Sequence, residues 1–233
     1  MKILIIGQGR MGQLIKKTAE AKGHEVIGLA DIFNKDSVID KKCDVVLDFS
    51  HRDNLSWVSY YCKNMKAALV YGTTGLEKEH LDMLDDLSKD VPVFYSSNFS
   101  YGVAVMRKLL QMVTPLLKED FDMEMIETHH NQKADAPSGT AKMLLEAMDP
   151  NNEFKKVYGR EGMVGKREKE IGVMALRGGT VAGIHEVKFF GDNETIEIKH
   201  IANNRQIFVN GAIKAAEFVV NQPAGLYNMD SMM

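Results

Sequence analysis

The sequence predicts an α/β protein: a Rossmann-type doubly wound parallel sheet with an inserted α+β domain built on a mixed, largely antiparallel sheet. Three observations predict it. Short apolar runs alternate with helical patterns over the first hundred residues, the order expected of a parallel sheet wrapped by helices. A G-x-G-x-x-G run, Gly7 to Gly12, stands between the first strand and the first helix. After residue 121 the order changes to strands separated by short glycine-containing turns.

The first strand, residues 3–6, is wholly apolar and reads as buried on both faces. Gly7 permits the tight turn that follows, Gly9 lets backbone approach a pyrophosphate, and Gly12 lets the helix at about 11–22 pack on the strand. The helix start offers unpaired N–H groups and a positive partial charge to phosphates. A second strand, residues 26–30, ends at Asp31, 19 residues after Gly12, where a dinucleotide fold places an acid on the adenosine ribose. These features together point to NADH or NADPH. Asp31 followed by Ile32 favours NAD, because a carboxylate repels a 2′-phosphate, while Arg10 and Lys35 leave dual use open.

Further strands are predicted at 45–49, 68–71 and 93–95, with helices at 53–64 (N-cap Ser50 or Asp53) and 77–89. Ligands of such sheets lie beyond the carboxyl ends of the strands. Gly9, Asp31, Ser50, Gly72, Thr73, Thr74, Asn98 and Phe99 all fall there and are candidate cofactor contacts.

Residues 101–117 have helical spacing, and 121–126 read as a strand. The stretch 127–140, Glu-Thr-His-His-Asn-Gln-Lys-Ala-Asp-Ala-Pro-Ser-Gly-Thr, is the densest in chemistry and precedes a helix at 141–148. Residues 151–169 look like a long mobile loop. Strands follow at 171–177, 181–190 and 195–201, with hairpin signals at Gly178-Gly179 and Gly191-Asp192-Asn193. The pattern of the last helix, at about 208–221, matches the first half, so the expected domains are 1–98 plus 206–233 for the dinucleotide and 99–205 for substrate and oligomerisation.

Composition narrows the classes. A hydrophobic fraction of 45% and a charged fraction of 26% are those of an ordinary globular protein. A net charge of −3 gives no reason to expect nucleic acid or an anionic membrane as partner. The opening apolar run is too short for a signal peptide or a membrane span, and Cys43 and Cys62 are too few for a disulfide framework, so a cytoplasmic protein is expected. No metal site is expected, since His129 and His130 have no cysteine or acidic ligand at metal spacing.

On residue pattern alone His129 stays open between a catalytic and a structural role. Neighbouring histidines on a strand point to opposite faces, so at most one of His129 and His130 faces a given pocket. Asp135 and Ser138 read as turn and N-cap residues, and His185 and His200 as packing or surface residues.

The motifs resemble those of the 4-hydroxy-tetrahydrodipicolinate reductase (dihydrodipicolinate reductase) family over nearly the whole chain. The resemblance rests on Gly7–Gly12 with Arg10-Met11, Gly72-Thr73-Thr74-Gly75, Ser97-Asn98-Phe99-Ser100 and the His-His-x-x-Lys-x-Asp-Ala-Pro-Ser-Gly-Thr run. It continues through Arg177-Gly178-Gly179-Thr180, Gly183-Ile184-His185-Glu186 and Asn210-Gly211-Ala212. It implies an NAD(P)H-dependent reductase of a small dicarboxylate in lysine and diaminopimelate biosynthesis, assembled as a homotetramer. By the same resemblance His129 is the general acid/base and Lys133 a proton donor. His130, Gly139 and Thr140 bind substrate, and Arg205 lies near a basic residue that approaches a substrate carboxylate. Arg10, Met11 and Ser97 join the cofactor contacts. Ile32, where the family often has a basic residue, and the short 31–43 loop depart from its pattern. A lysine among other cations should be a better acid. The rival readings are another NAD(P)-dependent dehydrogenase of similar architecture, and a dinucleotide-sensing regulator, which lacks a basic helix-turn-helix pattern to support it.

Overall fold

The apolar run at the N-terminus forms β1 (Lys2–Ile6), four of whose five residues are buried, and the glycine turn leads into α1 (Arg10–Ala21). The alternation then continues through β2 (Glu25–Ala30), β3 (Val45–Asp48), α2 (Leu55–Met65), β4 (Ala68–Tyr71), α3 (Lys78–Ser88) and β5 (Pro92–Tyr95). The computed structural model describes residues 1–233, in two compact units: Met1–Tyr101 with Gln206–Met233, and Gly102–Arg205.

In the first unit α6 (Gln206–Val219) and β11 (Gly225–Tyr227) complete a six-stranded, all-parallel sheet of order β11-β5-β4-β3-β1-β2. Side chains alternate across it. Leu4, Ile6, Val46, Leu69, Tyr71 and Val93 pack with Trp57, Tyr61, Leu84 and Leu87 of α2 and α3. α1 packs on β1 and β2, and α6 packs on β3, β4, β5 and α1. Strand order reverses between β1 and β3, so the loops that leave these two strands flank the switch point where such sheets take their ligands. β11 was not expected from the sequence. It has three residues, and its apolar content gives no periodicity to read.

The start of α2 also differs from expectation. A 3₁₀ turn over Arg52–Asn54 comes first, capped by the His51 side chain, and the α-helix begins at Leu55. Ser50 is not the cap because its hydroxyl donates to Asp48, 2.6 Å away.

The second unit holds α4 (Tyr101–Leu117), β6 (Asp122–His129), α5 (Gly139–Met148), β7 (Lys155–Val157), β8 (Glu170–Arg177), β9 (Gly183–Gly191) and β10 (Glu194–Ala202). Pro115 lies in the last turn of α4, two residues before its end. The sheet is mixed, with order β10-β9-β6-β8-β7; β10 and β6 run antiparallel to β9, while β8 runs parallel to β6 and β7 to β8. One face is covered by Met106 and Leu110 of α4 and by Ala141, Leu144, Leu145 and Met148 of α5, packed on Met123, Met125, Ile171, Val173, Val187 and Phe189. The opposite face carries exposed Met174, Leu176, Phe190 and Ile201.

Two expectations for this unit are corrected. Gly178-Gly179 is not a hairpin: β6 lies between β8 and β9, and the glycines begin a crossing over it. Residues 151–169 are not a free loop, because they contain β7 and are pinned by arginines. Arg160 grips Glu124 at 3.2 and 2.9 Å and Glu170 at 2.7 Å, and Arg167 bonds Glu124 and the Met123 carbonyl. Gly172 vacates the space that the Glu124 carboxylate fills.

Candidate active site

The glycine turn of the first unit has the shape of a phosphate cradle. Gly7 has φ of +110°, and a Cβ there would come within 2.6 Å of the Phe49 carbonyl, so the loops after β1 and β3 touch at the switch point. A Cβ on Gly12 would lie 1.8 Å from the Gly7 carbonyl oxygen. Gly9 has nothing within 4 Å of its would-be Cβ and caps α1 without a side-chain hydrogen bond, which leaves the helix start open to an anion. Arg10 is exposed and Met11 half-buried at that start.

Asp31 follows β2, where its carboxylate accepts from Gln8 Nε2 at 2.9 Å and from the Phe33 amide at 2.8 Å. Ile32 beside it is exposed. Gly72 leaves room for the Phe49 ring, which a Cβ would meet at 2.3 Å. Phe49 in turn packs on buried Phe99, with ring centroids 5.1 Å apart. Asn98 holds the Ser100 amide through its side chain at 2.8 Å, and Ser97 and Thr74 are exposed at their strand ends.

Ser50 and Thr73 are turned inward by a residue the sequence did not single out. Asp48, fully buried at the end of β3, accepts from the Ser50 hydroxyl (2.6 Å), the Ser50 amide (3.1 Å) and the Thr73 hydroxyl (2.9 Å) on one oxygen. Burial raises its carboxyl to about 6 although these hydrogen bonds oppose the rise.

In the second unit the alternation of β6 puts Met123, Met125, Glu127 and His129 on one face. The methionines enter the core, and the last two side chains emerge at its end to meet α5, β8 and β9. The Glu127 carboxylate is wholly buried and makes four bonds. Oε2 accepts from His129 Nδ1 at 2.5 Å and from Arg177 at 2.9 Å, while Oε1 accepts from Arg177 at 2.8 Å and from the Ser138 amide at 3.0 Å. Burial alone would raise its pKa, but the hydrogen bonds from Arg177, His129 and Ser138 outweigh it and hold the group below the ordinary carboxylate value.

Ser138 is the N-cap of α5, accepting from the Ala141 amide at 3.1 Å, and its hydroxyl lies 3.1 Å from His185 Nε2. His185 crosses His129 edge-on, with ring centroids 5.2 Å apart. Burial, and then the neighbouring charge of His129, lower its pKa to about 4, so it is neutral at pH 7. Nε2 and the hydroxyl share one hydrogen bond, whose direction is set by the His185 tautomer.

Lys133 follows in the turn after β6, its amide bonded to the His130 carbonyl and its ammonium 2.7 Å from Asp135. The expected cationic surroundings of Lys133 are thus corrected by this carboxylate, and Asp135 is more than a turn residue. Its backbone carbonyl also accepts from Arg177 at 2.6 Å. His130 lies just past the strand, with a buried Nδ1 that has no hydrogen-bond partner. Gly139 opens α5, with nothing within 4 Å of its would-be Cβ, and Thr140 follows. Arg205 lies in the exposed turn before α6.

Glu127, Arg177 and His185 are the site residues that sequence reasoning passed over. His185 is buried, as expected of a packing residue, and also meets Ser138 and His129. One signal was present: an acid two residues before His129 shares its face of the strand. The contributions of β8 and β9 depend on strand order.

A Rossmann cradle in one unit and a buried carboxylate–histidine pair beside an open helix start in the other define a nicotinamide-dependent oxidoreductase. The comparisons narrow this class. Residues 1–99 match the family described as dihydrodipicolinate reductase, N-terminus, and residues 102–233 match its C-terminus. The chain belongs to the dihydrodipicolinate reductase family. It is 43% identical over 243 residues to the 4-hydroxy-tetrahydrodipicolinate reductase of Staphylococcus aureus (strain JH9), covering 100% of both chains. It is 39% identical over 247 residues to that of Clostridium tetani, covering 100% of this chain and 97% of the relative. Its fold is also that of a dipicolinate-bound dihydrodipicolinate reductase from Paenisporosarcina sp. TG-14, with TM-score 0.81, 23% identity and coverage of 98% and 97%.

Proposed function

We propose that the protein reduces 4-hydroxy-tetrahydrodipicolinate to tetrahydrodipicolinate, with loss of the 4-hydroxyl as water, in lysine and diaminopimelate biosynthesis. One hydride and one proton enter, and one water leaves. The observation that carries the assignment is the pairing of His129 with buried Glu127 two residues from the start of a turn that leads to α5. NADH or NADPH supplies the hydride when bound. The residues present fit it: Gly7, Gly9 and Gly12 with Arg10 and Met11 would cradle the pyrophosphate, and Asp31 would take the ribose. Gly72, Thr73, Thr74, Ser50, Ser97, Asn98 and Phe99 line the other strand ends; because the hydroxyls of Ser50 and Thr73 and the Ser50 amide serve Asp48, Ser50 would contribute through its carbonyl and Thr73 through its backbone.

The remaining work falls to side chains that hold a dianion and move one proton. Gly139 and Thr140 present the amides of a helix start to one carboxylate. His130, Lys133 and Arg205 take the other polar groups, with arginine able to grip a carboxylate at two points. His129 and Lys133 deliver the proton that the departing hydroxyl requires, a kind of help worth about 10²–10⁴ in rate.

The domain roles follow: 1–98 with 206–233 for the cofactor, 99–205 for substrate and assembly. The assembly is the homotetramer that the family resemblance implies, and the uncovered face of the second sheet supports self-association. That face combines exposed Met174, Leu176 and Ile201 with a self-satisfied ladder in which Lys188 bonds Glu186 and Glu197. A cytoplasmic location suits two free, buried cysteines. The test is NADH oxidation with freshly generated substrate, followed by loss of the reduced nicotinamide absorbance at about 340 nm. His129→Ala should lower turnover by about 10²–10⁴ and leave cofactor affinity unchanged. Wild-type turnover in that variant refutes the acid role of His129.

A further inference from the structure

His129 is tied to Glu127 more firmly than a strand residue needs for packing. Both of its ring nitrogens have defined surroundings. Nδ1 meets a carboxylate oxygen at 2.5 Å, and a carboxylate that is ionised can only accept, so the proton of this contact sits on Nδ1. Nε2 faces Gly183, where an added Cβ would lie only 3.1 Å away, so β9 offers no side chain to compete for it. The carboxylate is itself locked. Arg177 holds both oxygens and the Ser138 amide one of them, so Glu127 cannot rotate without breaking bonds to β8 and to the start of α5.

We propose that Glu127, clamped by Arg177 and the Ser138 amide, is the positioning residue of this site: it fixes His129 with a proton on Nδ1 and so makes Nε2 the atom that exchanges protons with substrate. Resting on the assignment of His129 as the acid, it adds how that acid is oriented. The fixed ring saves reorganisation at the moment of transfer. The charged and titratable groups around the ring are Glu127 on its own strand, Arg177 on β8, His185 on β9 and His200 on β10. Lys133 and Asp135 stand in the following turn. Arg177 and Glu127 offset each other, and His185 is neutral. Glu127 is therefore the anion in contact with the imidazole. The same clamp links proton chemistry to anion binding, since the Ser138 amide that it holds begins the helix whose next residues, Gly139 and Thr140, take a carboxylate.

Two variants and one spectroscopic readout test this. Glu127→Gln keeps the shape and removes the charge. Turnover is expected to fall at least about 100-fold, within the range of general acid–base effects. KM for NADH should not change. Because the neutral amide leaves the Arg177 charge uncompensated, the double variant Glu127→Gln/Arg177→Met restores charge balance. It should recover thermal stability and not turnover. Recovery of turnover together with stability means a merely structural pair and overturns the proposal, as does wild-type turnover in Glu127→Gln. Imidazole ¹⁵N shifts at alkaline pH, assigned by their loss in His129→Gln, give a readout independent of the reaction. A proton on Nδ1 in the wild type, lost from that nitrogen in Glu127→Gln, is expected. A proton on Nε2 in the wild type overturns the proposal. If the wild type does not consume the substrate while the Nδ1 signature holds, the proposed reaction fails and the role of Glu127 stands.

Discussion

His185 provides a stability prediction whose sign and size both follow from its place in the structure. Its folded pKa is about 4 against an ordinary 6.5, caused first by burial and then by the charge of His129. The unfolded chain therefore takes up a proton that the folded chain refuses, and stability present above pH 6.5 is lost as pH falls toward 4. Between pH 7 and pH 5 the loss from this one group is about 2 kcal/mol, taking 1.36 kcal/mol per tenfold difference in proton affinity. Asp48 acts in the same window with opposite sign. Its carboxyl is raised to about 6 from 3.8, so the folded chain binds the proton first and stability rises by about 1 kcal/mol over the same interval. Together these two groups leave a net loss of about 1 kcal/mol, and the single variants uncover its components. His185→Gln should gain about 2 kcal/mol at pH 5 relative to wild type when both are referred to pH 7. The measurement is urea unfolding followed by circular dichroism at the two pH values. A variant whose stability falls between pH 7 and pH 5 as much as the wild type does would refute the reasoning, because the Asp48 contribution is common to both proteins.

Three further outcomes are expected. Gly12→Ala places a methyl group 1.8 Å from the Gly7 carbonyl, so the turn must open; NADH affinity, read by fluorescence quenching, should fall at least about tenfold, or roughly 1.4 kcal/mol. Ile32→Arg puts a guanidinium beside Asp31, where it can pair with a 2′-phosphate; the ratio of NADPH to NADH affinity should rise, and an unchanged ratio refutes the placement of the adenosine ribose at Asp31. Arg177→Met strands the buried Glu127 carboxylate and should cost about 3–5 kcal/mol of stability at pH 7, seen as a lowered Tm.

Much of the first unit was legible because its signals are local. A buried strand reads as an apolar run, a glycine turn reads as Gly7-Gln8-Gly9, and each depends on neighbours a few positions away. What was missed there lacks a local signal. β11 is three residues long and exists because β5 presents an open edge in register with it, Leu226 opposite Val93. The capping of α2 went astray because Ser50 has two competing uses, and a single sequence cannot show that Asp48 lies beneath it, reached through the pairing of β3 with β4. A serine before a helix is a cap only when nothing stronger claims its hydroxyl.

The site in the second unit shows the same limit more sharply. The stretch 127–140 brings His129, Lys133, Ser138 and Gly139 close along the chain, since strand, turn and helix start follow one another. Arg177 lies 50 residues from Glu127 and Ser138 lies 47 from His185, and what joins them is register. β6 pairs His129 with Arg177 of β8 on one side and Glu127 with His185 of β9 on the other. Reading Gly178-Gly179 as a hairpin sets β8 beside β9, so β6 could flank only one of them, and beside β9 alone Glu127 would have no arginine from β8. The carboxylate would then be an unpaired charge at the edge of an apolar core, a costly arrangement. A buried acid on the same strand face as two core methionines therefore carries its own demand: some other strand must bring it a cation. Strand order β9-β6-β8 meets that demand, and it places the imidazole, its carboxylate and the helix start around one point.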